Sequence, residues 1–442
     1  MPAATRGDTT TDNGRPGEGG NLRSDIKARA HKRLLESLDL VAAQRMPVHE
    51  LREECLRRVD MLLTEERAPL TTSEKHQLLR EVMDEIFGLG PIEELMRDPA
   101  VSDILVNGPD QVYIEREGRL TLSPAVFRDS KHLLQVIHRI AAGVGRRIDE
   151  SSPMLDARLQ DGSRVNAIIS PLALQGAVMS VRRFAGVKID HRRLIELGSW
   201  SEEMCAFLEA AVRCRANIVI SGGTGSGKTT LLNVLSKWIP GHERVITIED
   251  AAELKLQREH VVSLETRPPN IEGRGEVTQR ELLRNTLRMR PDRIIIGEVR
   301  GAESLDMLQA MNTGHEGSMT TVHANSARDA MRRIENMVSM SGLPYPVHVI
   351  RDQMASTLDL IVQASRMTGG RRRITSVMEI AGMERDVILM QEIFRFRQDS
   401  VDAQGHAVGG FESCGVRPRL LDRIQREGIE LPASVFQRRM GM

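Results

Sequence analysis

The sequence predicts a multidomain α/β protein. At 442 residues the chain exceeds the size of an ordinary single core, so we expect two or three folded units. The hydrophobic period also changes along the chain, from helical spacing, to short strands, to alternating strands and helices after Ala216. The predicted units are a disordered tail at 1–20, a helical bundle at 21–96, an α+β N-terminal domain at 97–184, a linker at 185–200 and an α/β domain with a C-terminal extension at 201–442.

The composition excludes several classes of protein. Lys plus Arg total 61 and Asp plus Glu total 61, so the net charge of zero gives no overall basic surface for nucleic acid. Hydrophobic residues make up 40% and charged residues 28%, which is typical of globular proteins. No apolar run approaches the roughly 18 residues of a spanning helix, and no signal-peptide core is present. We therefore expect a cytoplasmic protein that reaches a membrane only through partners.

The four cysteines indicate neither a zinc site nor a disulfide framework. Cys55, Cys205, Cys214 and Cys414 form no CxxC pair and have no histidine at metal-ligand spacing. We expect free thiols in a reducing compartment.

The N-terminal region combines a polar tail with helices. Residues 1–20 hold five glycines and two prolines and almost no apolar residues, which predicts disorder. Apolar residues then recur every four positions from Ile26, and a second helix is expected near 49–63. A third helix should start at Thr71, which has the capping-box partner Glu74 three residues later.

The predicted α+β domain delivers three arginines. Its short strands, such as 104–106 and 164–169, are broken by Gly and Asp-Gly turns. One such turn precedes Arg164, and Arg182 and Arg183 lie at the domain's exit. Arginine suits bidentate contact with phosphate, so these residues are candidate phosphate ligands.

A glycine-rich loop carries the strongest chemical signal. It follows the apolar strand 217–220 and precedes an amphipathic helix, which is the setting that the GxxxxGK[ST] motif requires. Backbone N–H groups of such a loop bind phosphates, Lys228 reaches the β- and γ-phosphates, and Thr229 can ligate Mg²⁺. The sequence therefore predicts ATP binding by Gly222, Gly223, Thr224, Gly225, Ser226, Gly227, Lys228, Thr229 and Thr230.

Acidic residues end two further apolar strands. The strand 244–248 leads to Glu249 and Asp250, where parallel sheets place ligand sites. We favour Glu249 as the base that activates water, with a solvated strand end as the alternative. A later strand ends at Gly297 and Glu298, with Gly297 in place of the usual aspartate. The metal and base roles could therefore be divided between Glu298 and Glu249.

Histidines and a set of arginines give weaker signals. His315 and His323 flank a strand near 317–322 and could sense γ-phosphate or simply form structural hydrogen bonds. Three arginines follow the capping-box pair Thr278 and Glu281 at i, i+4 spacing. A solvated helix face, a subunit interface and a phosphate contact all remain open for Arg280, Arg284 and Arg288.

Together these motifs resemble the type II/type IV secretion ATPase superfamily and are most similar to the Flp/Tad pilus assembly ATPases of the CpaF or TadA type. The resemblance covers nearly the whole chain. It is carried by 222–229, by 247–254 and by the long run 288–325, with further similarity at 87–91 and 415–418.

The resemblance implies a homohexamer with a PAS-like N-terminal domain and a RecA-like C-terminal ATPase domain. ATP and Mg²⁺ would bind between the two domains, and domain rotation would pass to an inner-membrane pilus platform and indirectly to pilin. The protein would then be peripheral to the inner membrane. The chain lacks a four-cysteine zinc module, which favours the Tad or conjugative branch, and the N-terminal bundle favours Tad.

The resemblance also assigns roles to residues. Glu249 and Asp250 would belong to an acidic box and Glu298 to the Walker B segment, where Gly297 fits the family pattern. Metal ligands would be Thr229, Glu298 and Asp250. The catalytic set would add the histidine box, His315 and His323, and a phosphate clamp of Arg164 and Arg182, with Arg183 as a weaker candidate.

The sequence thus predicts an ATPase motor that drives assembly, retraction or both for a Flp/Tad pilus. The alternatives are a conjugative type IV secretion ATPase, a RecA-like nucleic-acid translocase, and a scaffold that binds ATP but hydrolyses it slowly. An aromatic content of 3% argues against base-stacking platforms, so we expect no stable nucleic-acid partner.

Overall fold

The computed structural model describes residues 26, 29, 30, 33, 34, 47–65, 71–116, 118–183, 189–256, 259–267, 269 and 274–437. The predicted disordered tail at 1–20 lies outside these residues. The chain divides into two compact units, one formed by 1–116 with 120–183 and the other by 117–119 with 184–442. Across the described ranges, no helix has both the length and the apolarity needed to cross a bilayer.

The N-terminal unit begins with packed helices, α1 (Val48–Glu65) and α2 (Thr72–Phe87). The predicted capping box is confirmed, since Glu74 N donates to Thr71 Oγ1 at 3.3 Å and Thr71 N donates to Glu74 Oε2 at 2.7 Å. Five residues of the predicted earlier helix are described, at 26, 29, 30, 33 and 34, and all five are helical. The buried core of these helices contains Ile26, Ala30, Leu34, Cys55, Val59, Leu63, Leu78, Leu79, Val82 and Met83.

The helices and the α+β domain, separated in the sequence prediction, lie in one compact unit. Polar contacts join them across the predicted boundary. Arg97 forms two hydrogen bonds with the Asp84 carboxylate, at 2.6 and 2.8 Å, and Arg139 Nη1 donates to Glu85 O at 2.6 Å. These contacts link residues far apart in sequence, so hydrophobic periodicity alone does not predict them.

The rest of this unit is a six-stranded sheet with order β3-β2-β1-β6-β5-β4 and one long helix. The pairs β1–β2, β1–β6, β5–β6 and β4–β5 are antiparallel. The helix is capped by Asp129, whose side chain accepts from His132 N at 2.7 Å. The elements are α3 (Glu93–Arg97), β1 (Val101–Val106), β2 (Val112–Arg116), β3 (Arg119–Leu122), α4 (Ser130–Gly143), β4 (Met154–Arg158), β5 (Arg164–Ile168) and β6 (Val178–Arg182).

The second unit is built on a nine-stranded sheet with order β15-β14-β13-β12-β7-β11-β10-β8-β9. Six neighbouring strands of this sheet pair in parallel, in the order β12, β7, β11, β10, β8 and β9. Strands β13, β14 and β15 extend the sheet beyond β12 as antiparallel pairs. The elements are α5 (His191–Glu196), α6 (Glu202–Arg213), β7 (Ile218–Gly222), α7 (Lys228–Ser236), β8 (Val245–Glu249), β9 (Val261–Glu265), α8 (Gln279–Thr286), β10 (Arg293–Ile296), α9 (Glu303–Asn312), β11 (Met319–Val322), α10 (Ala327–Ser339), α11 (Val347–Thr357), β12 (Leu360–Arg366), β13 (Arg372–Glu384), β14 (Val387–Val401), β15 (Ala407–Ser413) and α12 (Leu420–Arg426).

Helices cover both faces of the parallel strands. Ile218 and Ile220 of β7 pack into a core with α6 and α7, whereas Val219 between them packs into a second core with α9, α10 and α11. Every residue of β7, β8, β10 and β11 is buried. Burial on both faces explains why these strands are rich in apolar residues and show no alternation of apolar and charged residues.

The predicted linker at 185–200 is partly structured. Helix α5 lies within it, and its Leu194 is buried. Trp200 is only 1% exposed, stacks on Trp238 with ring centroids 5.9 Å apart, and donates from Nε1 to His191 O at 3.1 Å. A few apolar anchors among charged residues are enough to attach this segment to the core, although they make no sustained period.

The predicted C-terminal extension contains β15 and α12, preceded by a β13–β14 hairpin. Two carboxylates, of buried Glu379 and half-buried Asp359, attach the last helix to the sheet. Glu379 of β13 accepts from Leu420 N at 2.7 Å, and Arg423 Nη2 contacts Asp359 Oδ2 at 2.8 Å.

Each of the four cysteines is a free thiol, as predicted. Cys55, Cys205 and Cys214 are buried, and Cys414 is half-buried. Burial raises the pKa of the Cys205 thiol to about 12, so this group stays protonated and unreactive at neutral pH.

Asn217 fixes the start of β7 against its neighbours. Its Nδ2 donates to Thr357 O at 2.8 Å, and its Oδ1 accepts from Gly317 N at 2.9 Å and Ser318 N at 3.2 Å. The side chain is 4% exposed, so these backbone groups have no easy access to water. Asn217 therefore ties β7 to the segments before β11 and β12.

We expect Asn217→Ala to lower the free energy of unfolding by about 3 kcal/mol, because it leaves several buried backbone groups without partners. Chemical denaturation measures the change. Asn312→Ala, at an exposed helix end, is the matched control and should shift stability by less than about 0.5 kcal/mol. Equal effects of the two substitutions would contradict the assigned role.

Candidate nucleotide-binding site

Parallel pairing gathers the candidate residues at one edge of the large sheet. Ser221 of β7 pairs with Val322 of β11, and Ile296 of β10 pairs with Ile248 of β8. The residues that follow these pairs therefore emerge at the same edge. They are the glycine-rich loop after β7, His323 after β11, Gly297 and Glu298 after β10, and Glu249 at the end of β8.

The glycine-rich loop connects β7 to α7, as the motif predicts. Gly225 and Gly227 have φ values of +68° and +95°, in the left-handed region that glycine adopts without strain. A Cβ on Gly222 would lie 2.4 Å from both Ser226 Oγ and Ala364 O. The glycines therefore permit a tight curl that no other residue could follow at these places.

The loop has the features of an anion cradle. Lys228 is the first residue of α7, and its Nζ donates to Gly222 O at 2.9 Å and Gly223 O at 3.0 Å. Thr229 and Thr230 lie in the first helical turn, where N–H groups point out of the helix. Ser226 Oγ is buried and has no hydrogen-bond partner among the described residues. This orphaned hydroxyl and the curled backbone fit a phosphate group.

Glu249 is buried at the end of β8, with 3% of its surface exposed. Its Oε2 accepts from Glu253 N at 2.8 Å and from Leu254 N at 3.0 Å. The carboxylate therefore organises the turn that follows β8 and holds the intervening Asp250 in place.

The position of Glu249 explains the glycine before Glu298. Gly297 N donates to Ile248 O at 2.9 Å, which sets Gly297 beside Glu249. A Cβ on Gly297 would lie 2.9 Å from Glu249 Cγ, closer than carbon atoms approach in proteins. An aspartate at this position would therefore collide with Glu249.

An arginine that the sequence analysis did not single out joins the other two acids. Arg300 donates to Glu298 Oε2 from Nε at 3.0 Å and from Nη2 at 2.6 Å, and its Nη1 lies 3.3 Å from Asp250 Oδ2. The Glu298 and Asp250 side chains are 23% and 42% exposed, so both are accessible to water and to a metal ion. The only sequence signal was a basic residue two positions after the strand-end acid.

The structure separates the two histidines. His323 follows β11 at the edge that carries the loop, whereas His315 precedes β11 and its Nδ1 lies 3.3 Å from Ala310 O. The four residues of β11 span roughly 13 Å, at about 3.3 Å per residue. Of the two, only His323 lies at the edge that carries the loop, and the catalytic roles of both histidines stay predictions.

The three candidate arginines of the N-terminal unit differ in their contacts. Arg164 and Arg182 are register partners on β5 and β6, so their side chains share one face of that sheet. Arg164 contacts Asp156 at 2.6 Å and Arg182 contacts Asp103 at 3.1 Å.

Arg183 instead braces its own domain. Its Nη1 donates to Asp98 O and to Val101 O. Because its Nη1 donates to these backbone carbonyls, Arg183 stays the weakest candidate of the three.

The predicted arginine face on α8 is neutralised. Arg280 Nε contacts Asp306 Oδ2 at 2.7 Å, and Arg284 Nε contacts Asp306 Oδ1 at 2.9 Å. Helix α8 ends at Thr286, so Arg288 does not extend the face. The Asp306 carboxylate therefore pairs with two of the three arginines, and the Arg284 side chain stays 59% exposed.

Comparison with known proteins gives a family match that covers the candidate site. Residues 85–395 match the type II/IV secretion system protein family, and this stretch is well over half of the chain and includes all the candidate residues above. The chain belongs to this family. The superfamily resemblance is thereby confirmed.

Named relatives are conjugative and type IV secretion proteins. A putative conjugal transfer protein of Mycobacterium tuberculosis is 37% identical over 305 residues, covering 68% of this chain and 86% of the relative. The conjugal transfer protein TrbB of Rhizobium radiobacter is 32% identical, covering 69% and 91%. Among solved structures, the VirB11 ATPase of the Brucella suis type IV secretion system in complex with sulphate is similar, with 29% identity, coverage of 65% and 94%, and a TM-score of 0.36.

These relatives bear on the predicted branch. They support a secretion-system protein, and their names match the conjugative alternative better than the Flp/Tad pilus motor that the sequence analysis favoured. The motifs that carry the resemblance are shared across the superfamily and do not separate its branches. The residues therefore support membership of the superfamily but not the choice of the Flp/Tad branch.

We expect Gly297→Ala to displace Glu249 and to lower the free energy of unfolding by about 1–3 kcal/mol, because the new methyl group overpacks a buried contact. Thermal and chemical denaturation measure the loss. Gly241→Ala, where a Cβ would have no neighbour within 4 Å, is the control and should be nearly neutral. A Gly297→Ala variant with unchanged stability would show that contact with Glu249 does not require glycine at position 297.

Proposed function

We propose that this chain is an ATP-hydrolysing motor of a secretion machine of the conjugative type IV class. The observation that carries the proposal is the shared sheet edge, where a phosphate-binding loop lies beside accessible acids. Membership of the type II/IV secretion family supports it, as do the names of the relatives. By the family resemblance, the motor would be a homohexamer with PAS-like and RecA-like domains, bound to the inner membrane through partners.

The loop would bind the phosphates of ATP. The N–H groups from Gly223 to Thr229 would donate to them, and Lys228 would exchange its carbonyl partners for phosphate oxygens. The Thr229 hydroxyl would ligate Mg²⁺. Bound Mg²⁺ would neutralise charge that develops on the β- and γ-phosphates.

The geometry suggests a division of labour among the acids. Glu249 is committed to two backbone N–H groups, so we assign it to positioning Asp250. Glu298 and Asp250 are the accessible carboxylates, and we assign them to the metal and to the attacking water. This assignment revises the sequence-based preference for Glu249 as base, because the Glu249 carboxylate is held by the turn that follows β8, whereas Glu298 and Asp250 are more exposed.

Two further groups complete the proposal. His323, at the edge beside the loop, would sense the γ-phosphate. Arg164 and Arg182 would supply positive charge from the N-terminal unit, as the family resemblance implies. Their exposure, at 42% and 59% of the side chain, and their common face suit an anionic ligand.

The Flp/Tad pilus motor is the second candidate. Helices α1 and most of α2 precede residue 85, where the family match begins, and this extension favours the Tad branch by the family resemblance. Its partners would be the inner-membrane pilus platform and, indirectly, pilin. Deletion of the gene separates the candidates, since loss of DNA transfer supports the conjugative machine and loss of pili supports the pilus motor.

Lys228→Ala should abolish Mg²⁺-dependent ATP hydrolysis, because the loop loses the charge that binds the β- and γ-phosphates. Phosphate release measures activity, and we expect a fall of at least about 100-fold. Lys237→Ala, an exposed lysine at the end of the same helix, should keep full activity. Retained hydrolysis in Lys228→Ala would end the proposal.

Glu298→Gln should retain ADP binding and lose hydrolysis by about 100-fold or more, because the amide cannot accept a proton. Glu249→Gln should instead lower the melting temperature, since it removes the charge that accepts two N–H groups. Calorimetric binding, single-turnover kinetics and thermal melts distinguish the two. If Glu249→Gln kept its stability and Glu298→Gln kept its rate, the division of labour would be reversed.

A further inference from the structure

Two arginines of the β12–β13 hairpin lie against the glycine-rich loop. Arg372, the first residue of β13, donates from Nε to Gly225 O at 3.0 Å. Its Cδ lies 3.5 Å from where a Cβ on Gly227 would be. Arg366, the last residue of β12, brings Nη1 to 3.7 Å from the corresponding point on Gly225. Neither arginine belongs to a motif used above.

The two arginines form a like-charged pair. Arg366 and Arg372 are register partners in an antiparallel ladder, so their side chains lie on the same face. Both are exposed. Arg366 also donates from Nη2 to Gly118 O, so it has a partner outside the hairpin. In the described part of the chain, the two Nη atoms of Arg372 make no hydrogen bond, so they are available to a ligand.

The hairpin lies on the other side of the loop from the acids. Strand β12 neighbours β7 on one side, and β11, β10 and β8 follow on the other. Ala364 pairs with Gly222, so the end of β12 packs directly on the loop. Along this edge the order is therefore the arginine pair, the loop, His323, Glu298 and Glu249.

We propose that Arg372, assisted by Arg366, binds the α-phosphate of the nucleotide. The inference rests on the proposed ATP site. Hydrolysis requires the γ-phosphate on the side of Glu298, and the loop holds the β-phosphate between. The chain of phosphates must then leave the loop on the opposite side, where the hairpin presents two guanidinium groups suited to phosphate oxygens.

This assignment separates two kinds of arginine. The α-phosphate is common to ATP and ADP, so the hairpin pair holds the nucleotide before and after hydrolysis. Arginines that contact the γ-phosphate would distinguish the two nucleotides instead. The hairpin pair therefore sets nucleotide affinity and residence time without sensing hydrolysis.

The test compares Arg372→Ala with the unchanged chain in calorimetric titrations of ADP, the non-hydrolysable analogue AMPPNP and pyrophosphate, each with Mg²⁺. We expect the Kd of ADP and AMPPNP to rise by the same factor, about 10- to 30-fold. Pyrophosphate lacks an α-phosphate, so its Kd should change less than about twofold. Arg366→Ala should show a smaller rise of the same pattern, and Arg371→Ala, in the same turn, should show none.

Three results would overturn the inference. An equal loss for pyrophosphate would mean that Arg372 only braces the loop through Gly225. A loss confined to AMPPNP would place Arg372 at the γ-phosphate, and unchanged affinities would remove it from the site. Lys228→Ala serves as the reference: if it loses all three ligands while Arg372→Ala binds them normally, only this inference fails. If Lys228→Ala binds all three normally, the proposed function itself fails.

Discussion

The parallel register of β7, β11, β10 and β8 is the constraint on which the candidate site depends. Parallel strands that pair in register end together, so short segments separated by tens of residues present their following side chains at one edge. The loop after β7, His323, Glu298 and Glu249 meet for this reason alone. A slip of one residue would also exchange the two buried faces of these strands, so their apolar cores protect the register that the site needs.

Buried polar groups fix the starts of the parallel strands, at the end of the strands away from the candidate site. Arg293 is fully buried at the start of β10, where Nη2 donates to Glu243 Oε1 at 3.0 Å and Nη1 donates to Val212 O at 2.6 Å. A Cβ on Gly317 would lie 2.7 Å from Arg293 Nη1, so a glycine precedes β11. Asn217 fixes the start of β7 in the same way. The strand starts are therefore fixed, while the strand ends carry side chains that can change partners.

The structure contains arginine contacts that no sequence motif indicates. Arg300 bridges Glu298 and Asp250, and Arg372 contacts the loop from a hairpin over a hundred residues later. A guanidinium group offers several donors, so it can neutralise a carboxylate or await an anion according to its surroundings. Spacing in the sequence does not distinguish these cases, as the neutralised Arg280 and Arg284 also show.

Short-range patterns in the sequence predict the local features of this protein. The capping box at Thr71, the strand–loop–helix around Lys228 and the apolar strands that end in acids follow from short-range chemistry and from periodicity, and their motifs identified the family. Which side chains contact each other depends on the folded arrangement of the strands. That arrangement buried Glu249 beside Gly297, separated His315 from His323, attached Trp200 to the core and brought Arg372 to the loop. These outcomes depend on pairing between distant strands and on competition for partners, which a linear pattern does not contain.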